Sequence, residues 1–164
     1  MSHEQRISVQ QVDPKAYEPI FALERYIRSG NLDKSLLSLI KVRASEINGC
    51  AYCLDMHARE ARAAGVDQRR LDVLSAWREA PGLFSIREQA ALAFAEEVTL
   101  IGKEGVTDRA WSQLTASFDQ QEIVYLLMAI VAINTWNRLA VSVHQSLPDQ
   151  ALEQQSRNQT QRYN

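Results

Sequence analysis

The chain has 164 residues, of which 46% are hydrophobic and 23% charged, and its net charge is −2. This length is sufficient for one domain with a buried core, and the charge balance excludes the basic surface typical of nucleic-acid-binding proteins. The polar segment 1–11 lacks the apolar core of a secretory signal, and the most apolar run, Ile123–Ile133, is shorter than the roughly 20 residues that cross a bilayer. We therefore expect a cytoplasmic protein that binds neither nucleic acid nor membrane.

In the first part of the chain, capping residues alternate with apolar residues at helical spacing. Asp13-Pro14 predicts the start of a first helix, which Gly30 ends. Asp33 predicts the start of a second helix, which is apolar over most of its circumference and should be largely buried. Asn48-Gly49 interrupts this pattern, and Cys50–Ala64 resumes it as a third helix that ends at a glycine.

The remaining predicted helices follow the same logic. Asp67 caps a short helix through Trp77, Ser85 with Glu88 has capping-box spacing ahead of a helix to Leu100, and Thr107 opens a helix through Phe118. The last helix, 120–144, is apolar nearly all round in its first half, which predicts burial in the centre of the fold or between subunits.

The absence of period-2 strand patterns predicts an all-α fold, with helices packed around the one that carries the cysteines. We expect a single domain over 1–164, with a core over about 14–147. The segment 148–164 is rich in Gln and Asn, and we expect it to be a polar tail that frays or lies on a neighbouring subunit.

The only two cysteines lie in a Cys-x-x-Cys motif, and His57 follows four residues after the second one. On one helix, Cys50, Cys53 and His57 share a face, and Glu46 joins that face if the helix continues through Asn48-Gly49. If the helix instead begins at Cys50, the N-terminal dipole favours a thiolate. Either geometry is typical of redox chemistry, in which one thiolate attacks a peroxide or disulfide and the other resolves the product. His57 lies one turn from Cys53 and is placed to take its proton.

Two alternatives to a redox pair remain open from the residues alone. The cysteines can be ordinary buried residues, or they can join His57 in a zinc site with His144 or Glu46 as the fourth ligand. A zinc site usually has a second ligand pair at short spacing, which this sequence lacks. We therefore expect no metal and no cofactor.

The segment Lys41–His57, with its core Asn-Gly-Cys-x-x-Cys-x-x-x-His, resembles the AhpD-like alkylhydroperoxidases and the related carboxymuconolactone decarboxylases. The segment Ala132–Val141 is similar to the closing helix of short members of that family. The resemblance covers about Asp33 to Val143. It implies an all-α fold that forms trimers or hexamers and reduces hydroperoxides through a cysteine pair, which a dithiol donor recharges, for example a lipoylated or thioredoxin-like protein.

The resemblance also implies a role for each site residue. Cys53 would be the attacking thiol, Cys50 the resolving thiol, and His57 part of the proton relay that activates Cys53. The family's relay usually includes a glutamate twelve positions before the first cysteine, but here that position is Ser38. Glu46 is the candidate replacement.

Three consecutive residues of the last helix are further candidates for the site. Trp136, Asn137 and Arg138 are more typical of core and salt-bridge residues than of a pocket, although they are candidates to line one beside the cysteines. The sequence predicts a thiol peroxidase or disulfide oxidoreductase that forms homo-oligomers. The alternatives are a redox-sensing binding protein without turnover and a cysteine-independent lyase like the decarboxylases.

Overall fold

A computed structural model describes residues 4–147, and all regular elements in that part of the chain are helices. Its α-helices are α1 (Val9–Val12), α2 (Glu18–Arg28), α3 (Lys34–Ile47), α4 (Ala51–Ala63), α5 (Gln68–Asp72), α6 (Ile86–Thr99), α7 (Asp108–Thr115) and α8 (Gln120–Ser142). Short 3₁₀ turns lie at Pro14–Tyr17, Leu74–Glu79 and Pro81–Leu83. The all-α prediction is confirmed, and the predicted tail over 148–164 lies outside the described residues.

Most helices begin where their capping residues predict. Asp33 caps α3, Ser85 forms the predicted capping box at the start of α6, and Asp119 forms a second one at the start of α8. The helix predicted to run from Asp67 to Trp77 is shorter than expected. It ends because Val73 leaves helical geometry, with φ −106° and ψ 8°, and the chain continues as a 3₁₀ turn.

Helices α3, α6 and α8 form the centre of the fold, and each contacts the other two. Their fully buried large side chains include Leu39, Ile40, Leu92, Leu126, Ile130 and Ile133. Helix α8 is long and apolar enough, by length and composition alone, to cross a membrane. One face of α8 packs into the core against five other helices, whereas Val124, Leu127 and Val131 on another face are exposed.

Helices α3 and α4 form an antiparallel hairpin joined by residues 48–50. Gly49 makes this tight connection possible because its φ of +63° lies in the left-handed region that favours glycine. Helix α2 packs against α8, and the N-terminal segment joins the end of α8 through the Arg6 N–H, which donates to the Val143 carbonyl at 2.9 Å. The hairpin, α2 and the end of α8 together enclose the candidate site.

Candidate active site

The two cysteines lie at the start of α4, as the sequence predicts. Cys50 is the N-cap residue in extended geometry, and its Sγ accepts the Cys53 backbone N–H at 3.3 Å. Both side chains are only 1% exposed, and both are free thiols. A sulfur at an N-cap faces the unpaired N–H groups and the positive end of the helix dipole, which stabilises a negative charge on Cys50.

The two cysteines differ strongly in acidity, because their side chains are joined by a hydrogen bond. The Cys53 thiol donates to the Cys50 sulfur, and with the Cys53 N–H and the Asn137 carboxamide this lowers the pKa of Cys50 to about 6, against the effect of burial. The same hydrogen bond raises the pKa of Cys53, and burial and the negative charge on Cys50 raise it further. At neutral pH the pair therefore holds one thiolate, on Cys50, and one thiol, on Cys53.

His57 is one turn beyond Cys53 on the same face of α4 and is 3% exposed. Its Nδ1 lies 2.7 Å from Oε2 of Glu60. Because a carboxylate only accepts hydrogen bonds, Nδ1 carries a proton and donates it, which leaves Nε2 of the neutral ring as an acceptor. This Nε2 is buried and has no hydrogen-bond partner among the described residues. The ring is thus prepared to accept a proton at that atom.

The carboxylate that supports His57 is Glu60, which the sequence analysis missed. The hydrogen bond from His57 lowers the pKa of Glu60 in spite of partial burial, and the positive charges of Lys41 and Arg28 act in the same direction. Glu60 is therefore ionised at neutral pH. The signal was present in the sequence, since a glutamate three residues after a histidine on a helix lies on the same face.

Glu46, the relay acid predicted from the sequence, does not line the cavity that His57 and Glu60 line. Its Oε2 accepts a hydrogen bond from Arg43 Nη1 at 2.7 Å, and Arg43 also pairs with Glu96 at 2.7 Å. Burial raises the pKa of Glu46, and Arg43 opposes that effect. Glu46 was expected to share the face of the cysteines only if one helix continued through Asn48-Gly49, and this condition is not met, because α3 ends at Ile47 and α4 begins at Ala51. The structure brings together Cys50, Cys53 and His57, but not Glu46.

The α3–α4 hairpin brings Glu60 and the position of the missing acid, Ser38, to the same cavity. Ser38 and Glu60 line the same cavity as His57, Ser38 from α3 and Glu60 from α4. Ser38 uses its hydroxyl to donate to the Lys34 carbonyl at 2.8 Å. The carboxylate beside His57 therefore comes from α4 in this chain, whereas the resemblance implies one from α3.

Asn137 of α8 is fully buried beside the cysteines. Its Oδ1 accepts from Asn48 at 2.9 Å, its Nδ2 donates to Ser45 Oγ at 3.0 Å, and its carboxamide lowers the pKa of both thiols through hydrogen bonds to sulfur. The network fixes the orientation of the amide, because the Ser45 hydroxyl already donates to the Lys41 carbonyl and can only accept from Asn137. Asn137 therefore belongs to the site. The sequence analysis had considered such a role but favoured an ordinary core position.

Asn137→Ala is expected to move the thiolate midpoint of the wild-type protein upward from its pKa of about 6. The shift should be about one to two units, because a hydrogen bond to a charged group contributes about 1.5–3 kcal/mol and one pKa unit corresponds to about 1.4 kcal/mol. Titration of the ultraviolet absorbance of the thiolate measures it. Asn134→Ala is the matched control, since Asn134 joins the same amide network through Asn48 but acts on neither sulfur. Equal midpoints in both variants would contradict the direct contact.

A cavity of about 870 Å³ opens beside this group, and its lining includes Cys53, His57 and Glu60 but not Cys50. Trp136 lines it as well, packed against the cysteine cluster. Arg138 instead points along its own helix and donates to Asn134. A ligand in this cavity would therefore meet Cys53 and not Cys50.

The cavity wall also holds Tyr17, Phe21 and Glu24, which the sequence analysis missed as site residues. Tyr17, Phe21 and Trp136 form an aromatic cluster with ring centroids 5.2–6.1 Å apart, and Glu24 pairs with Lys41 at 3.1 Å. Among residues 4–147, no three His, Cys, Asp or Glu side chains converge in a way that would hold a metal ion.

Residues 14–97 match the model of the carboxymuconolactone decarboxylase family. The chain is 34% identical over 139 residues to the uncharacterized protein YdfG of Bacillus subtilis, covering 85% of this chain and 94% of that one. Among solved structures, it is similar to ATU0492 from Agrobacterium tumefaciens, a protein of unknown function proposed to be the antioxidant defence protein AhpD. That match has a TM-score of 0.86 and 41% identity, and it covers 90% of this chain and all (100%) of the other.

The fold also occurs in a more distant protein. The debrominase Bmp8, solved as a variant in complex with 2,3,4-tribromopyrrole, matches with a TM-score of 0.74 and 16% identity over 84% of this chain and 73% of that one. At this identity the likeness concerns the fold alone.

Proposed function

Because this chain belongs to the carboxymuconolactone decarboxylase family and is AhpD-like, we propose that it is a thiol-dependent peroxidase that reduces organic hydroperoxides. The observation that carries this proposal is the arrangement around Cys53. Its thiol lines the cavity, a buried imidazole nitrogen that has no hydrogen-bond partner among residues 4–147 lies one turn away, and the Cys50 thiolate is hydrogen-bonded to the Cys53 thiol. These are an attacking group and a base that both line the cavity, and a resolving group that does not.

In the first step, Nε2 of His57 takes the proton of Cys53 as the hydroperoxide enters. The Cys53 thiolate attacks the terminal peroxide oxygen, the O–O bond breaks, and the alkoxide leaves as an alcohol after taking the proton from His57. Cys53 is then a sulfenic acid. Glu60 stabilises the imidazolium while it carries this proton, because its carboxylate accepts the Nδ1–H.

In the second step, the Cys50 thiolate attacks the Cys53 sulfur. The S–O bond breaks, hydroxide leaves as water after protonation, and a Cys50–Cys53 disulfide forms. With the proton that the solvent supplies to the hydroxide, the net reaction converts one hydroperoxide, one thiol and one thiolate into an alcohol, water and a disulfide. A Cys50 pKa of about 6 suits this role, since the resolving group is already ionised at neutral pH.

The low pKa of Cys50 also suits the return to the dithiol state. We propose that a dithiol donor attacks Cys53, the sulfur that lines the cavity, and expels Cys50. A thiol of low pKa leaves faster in such an exchange, so the order of the two pKa values favours this direction of attack. A lipoylated or thioredoxin-like protein of the cytoplasm is the proposed donor. A homo-oligomer, a trimer or hexamer, is the proposed assembly.

Steady-state consumption of cumene hydroperoxide in the presence of dihydrolipoamide tests the proposal. We expect turnover, with one disulfide per chain trapped when the donor is omitted. A redox-sensing binding protein would form the disulfide without turnover, and a lyase like the decarboxylases would keep its activity without either thiol. Either result would replace the peroxidase assignment.

A further inference from the structure

We infer that the cavity selects amphipathic substrates, namely organic hydroperoxides that carry a carboxylate roughly 10 Å from the peroxide group. This inference rests on the proposed function, since it names the substrate class of the same site. The cavity of about 870 Å³ lies within the range of pockets for drug-sized ligands, and it is far larger than hydrogen peroxide requires.

One end of the cavity is apolar and aromatic. Trp136 lies 5.2 Å from Tyr17 and 5.6 Å from Phe21 between ring centroids, and Phe21 is 44% exposed. Trp136 also packs against the cluster that contains Cys53, so the aromatic rings and the attacking sulfur lie at the same end. Aromatic surface left open beside a reactive group favours an apolar ligand.

The other end of the cavity is basic. Arg28, Lys34 and Lys41 line the wall together with two carboxylates, Glu24 and Glu60. Both carboxylates are already engaged, because Lys41 pairs with Glu24 and His57 with Glu60. Arg28 and Lys34 form no ion pair with any residue in the described range 4–147, and both are exposed at the rim. Two exposed cations that form no ion pair among the described residues suit an anionic group of the ligand, and guanidinium groups bind carboxylates in particular.

Two helices set the distance between these ends. On α4, Glu60 lies seven residues after Cys53, and on α2, Arg28 lies seven residues after Phe21. Seven residues of α-helix span roughly 10 Å at a rise of about 1.5 Å each. The two helices agree in direction, since Phe21 contacts Trp136 at the cysteine end and the charge of Arg28 acts on Glu60 at the other. A carboxylate at the rim would therefore hold the peroxide at Cys53 and direct the remaining apolar chain onto the aromatic rings.

The test compares 9-hydroperoxyoctadecadienoate, whose peroxide lies near the middle of the chain, with its methyl ester, which removes only the charge. We expect the free acid to have the higher kcat/KM, and the double variant Arg28→Gln/Lys34→Gln to lower that value about tenfold, since each exposed ion pair contributes up to about fivefold. The value for the ester should not change. Arg25→Gln/Lys15→Gln is the control, because it removes the same charge from exposed positions outside the cavity. Equal kcat/KM values for acid and ester in the wild-type protein would overturn the inference.

A binding measurement separates this inference from the proposed function. Calorimetry with octadecadienoate and its methyl ester, which carry no peroxide, needs no catalysis and uses the full-length Cys53→Ser protein. Preferential binding of the acid that the rim double variant abolishes supports the inference, even if no hydroperoxide is consumed. Absence of that preference in Cys53→Ser, while the wild-type protein consumes cumene hydroperoxide, overturns the inference and leaves the proposed function intact.

Discussion

Replacing Cys53 with serine is expected to reduce hydroperoxide consumption to the uncatalysed background. Serine cannot form the thiolate or the sulfenic acid that the proposed reaction requires, and Cys50 does not line the cavity, so it cannot take over the attack. The measurement is peroxide consumption at saturating dihydrolipoamide. The loss should be complete even though Cys50 has the lower pKa.

Cys50→Ser should have a different result, which makes the two variants a matched pair. In this protein Cys53 still meets the substrate, so each chain should consume a single equivalent of hydroperoxide and then stop as a sulfenic acid. A sulfenate-specific reagent such as dimedone, followed by mass spectrometry, detects this product on Cys53. If Cys50→Ser abolished the first oxidation and Cys53→Ser allowed it, the roles of the two sulfurs would be reversed.

This pair of variants matters because pKa and access favour different cysteines. The N-cap position and the hydrogen bonds to its sulfur make Cys50 the more acidic thiol, which on acidity alone would identify it as the attacking group. The cavity, however, reaches Cys53. A nucleophile must first touch its substrate, so we give access the greater weight and assign the acidic thiol to resolution and to departure in the exchange with the donor.

Local sequence signals predict most of the helices and the start of the cysteine helix. Capping residues such as Asp33 and Ser85 act over three or four residues, so their effect is visible without knowledge of the fold. The predicted end of α5 was wrong, because no capping residue in the sequence marks the point where Val73 leaves helical geometry. Helix α6 was not recognised as central, although Ala91, Leu92 and Ala95 are fully buried, because its small residues carry little apolar pattern.

The site is only partly predictable for a related reason. Cys50, Cys53 and His57 share one helix, so their spacing predicts their common face. Asn137 and Phe21 come from α8 and α2, and their approach depends on how helices pack, which no local pattern specifies. The choice between Glu46 and Glu60 depended on a single local event, the left-handed residue Gly49, which turns the chain between α3 and α4.

His57→Ala is expected to lower kcat/KM for hydroperoxide by about 10²-fold or more, since a positioned general base typically contributes about 10²–10⁴-fold. The raised pKa of Cys53 makes this assistance necessary, because the thiol would otherwise remain protonated beside the Cys50 thiolate. The measurement is the rate of the first oxidation in single-turnover mixing, which does not depend on the donor. A wild-type rate in His57→Ala would show that Cys53 loses its proton by another route.

Glu60→Gln and Glu46→Gln then decide which carboxylate supports the histidine. Glutamine at position 60 keeps an acceptor for the Nδ1–H but loses the charge that stabilises the imidazolium, so we expect a decrease of roughly tenfold in the same single-turnover rate. Glu46→Gln should leave that rate unchanged and lower the melting temperature, because Glu46 pairs with half-buried Arg43. Glu79→Gln, an exposed change outside the cavity, is the control for both. A larger decrease in Glu46→Gln than in Glu60→Gln would support the relay predicted from the sequence. A larger decrease in Glu60→Gln would show that the acid supporting His57 lies on α4 and not on α3.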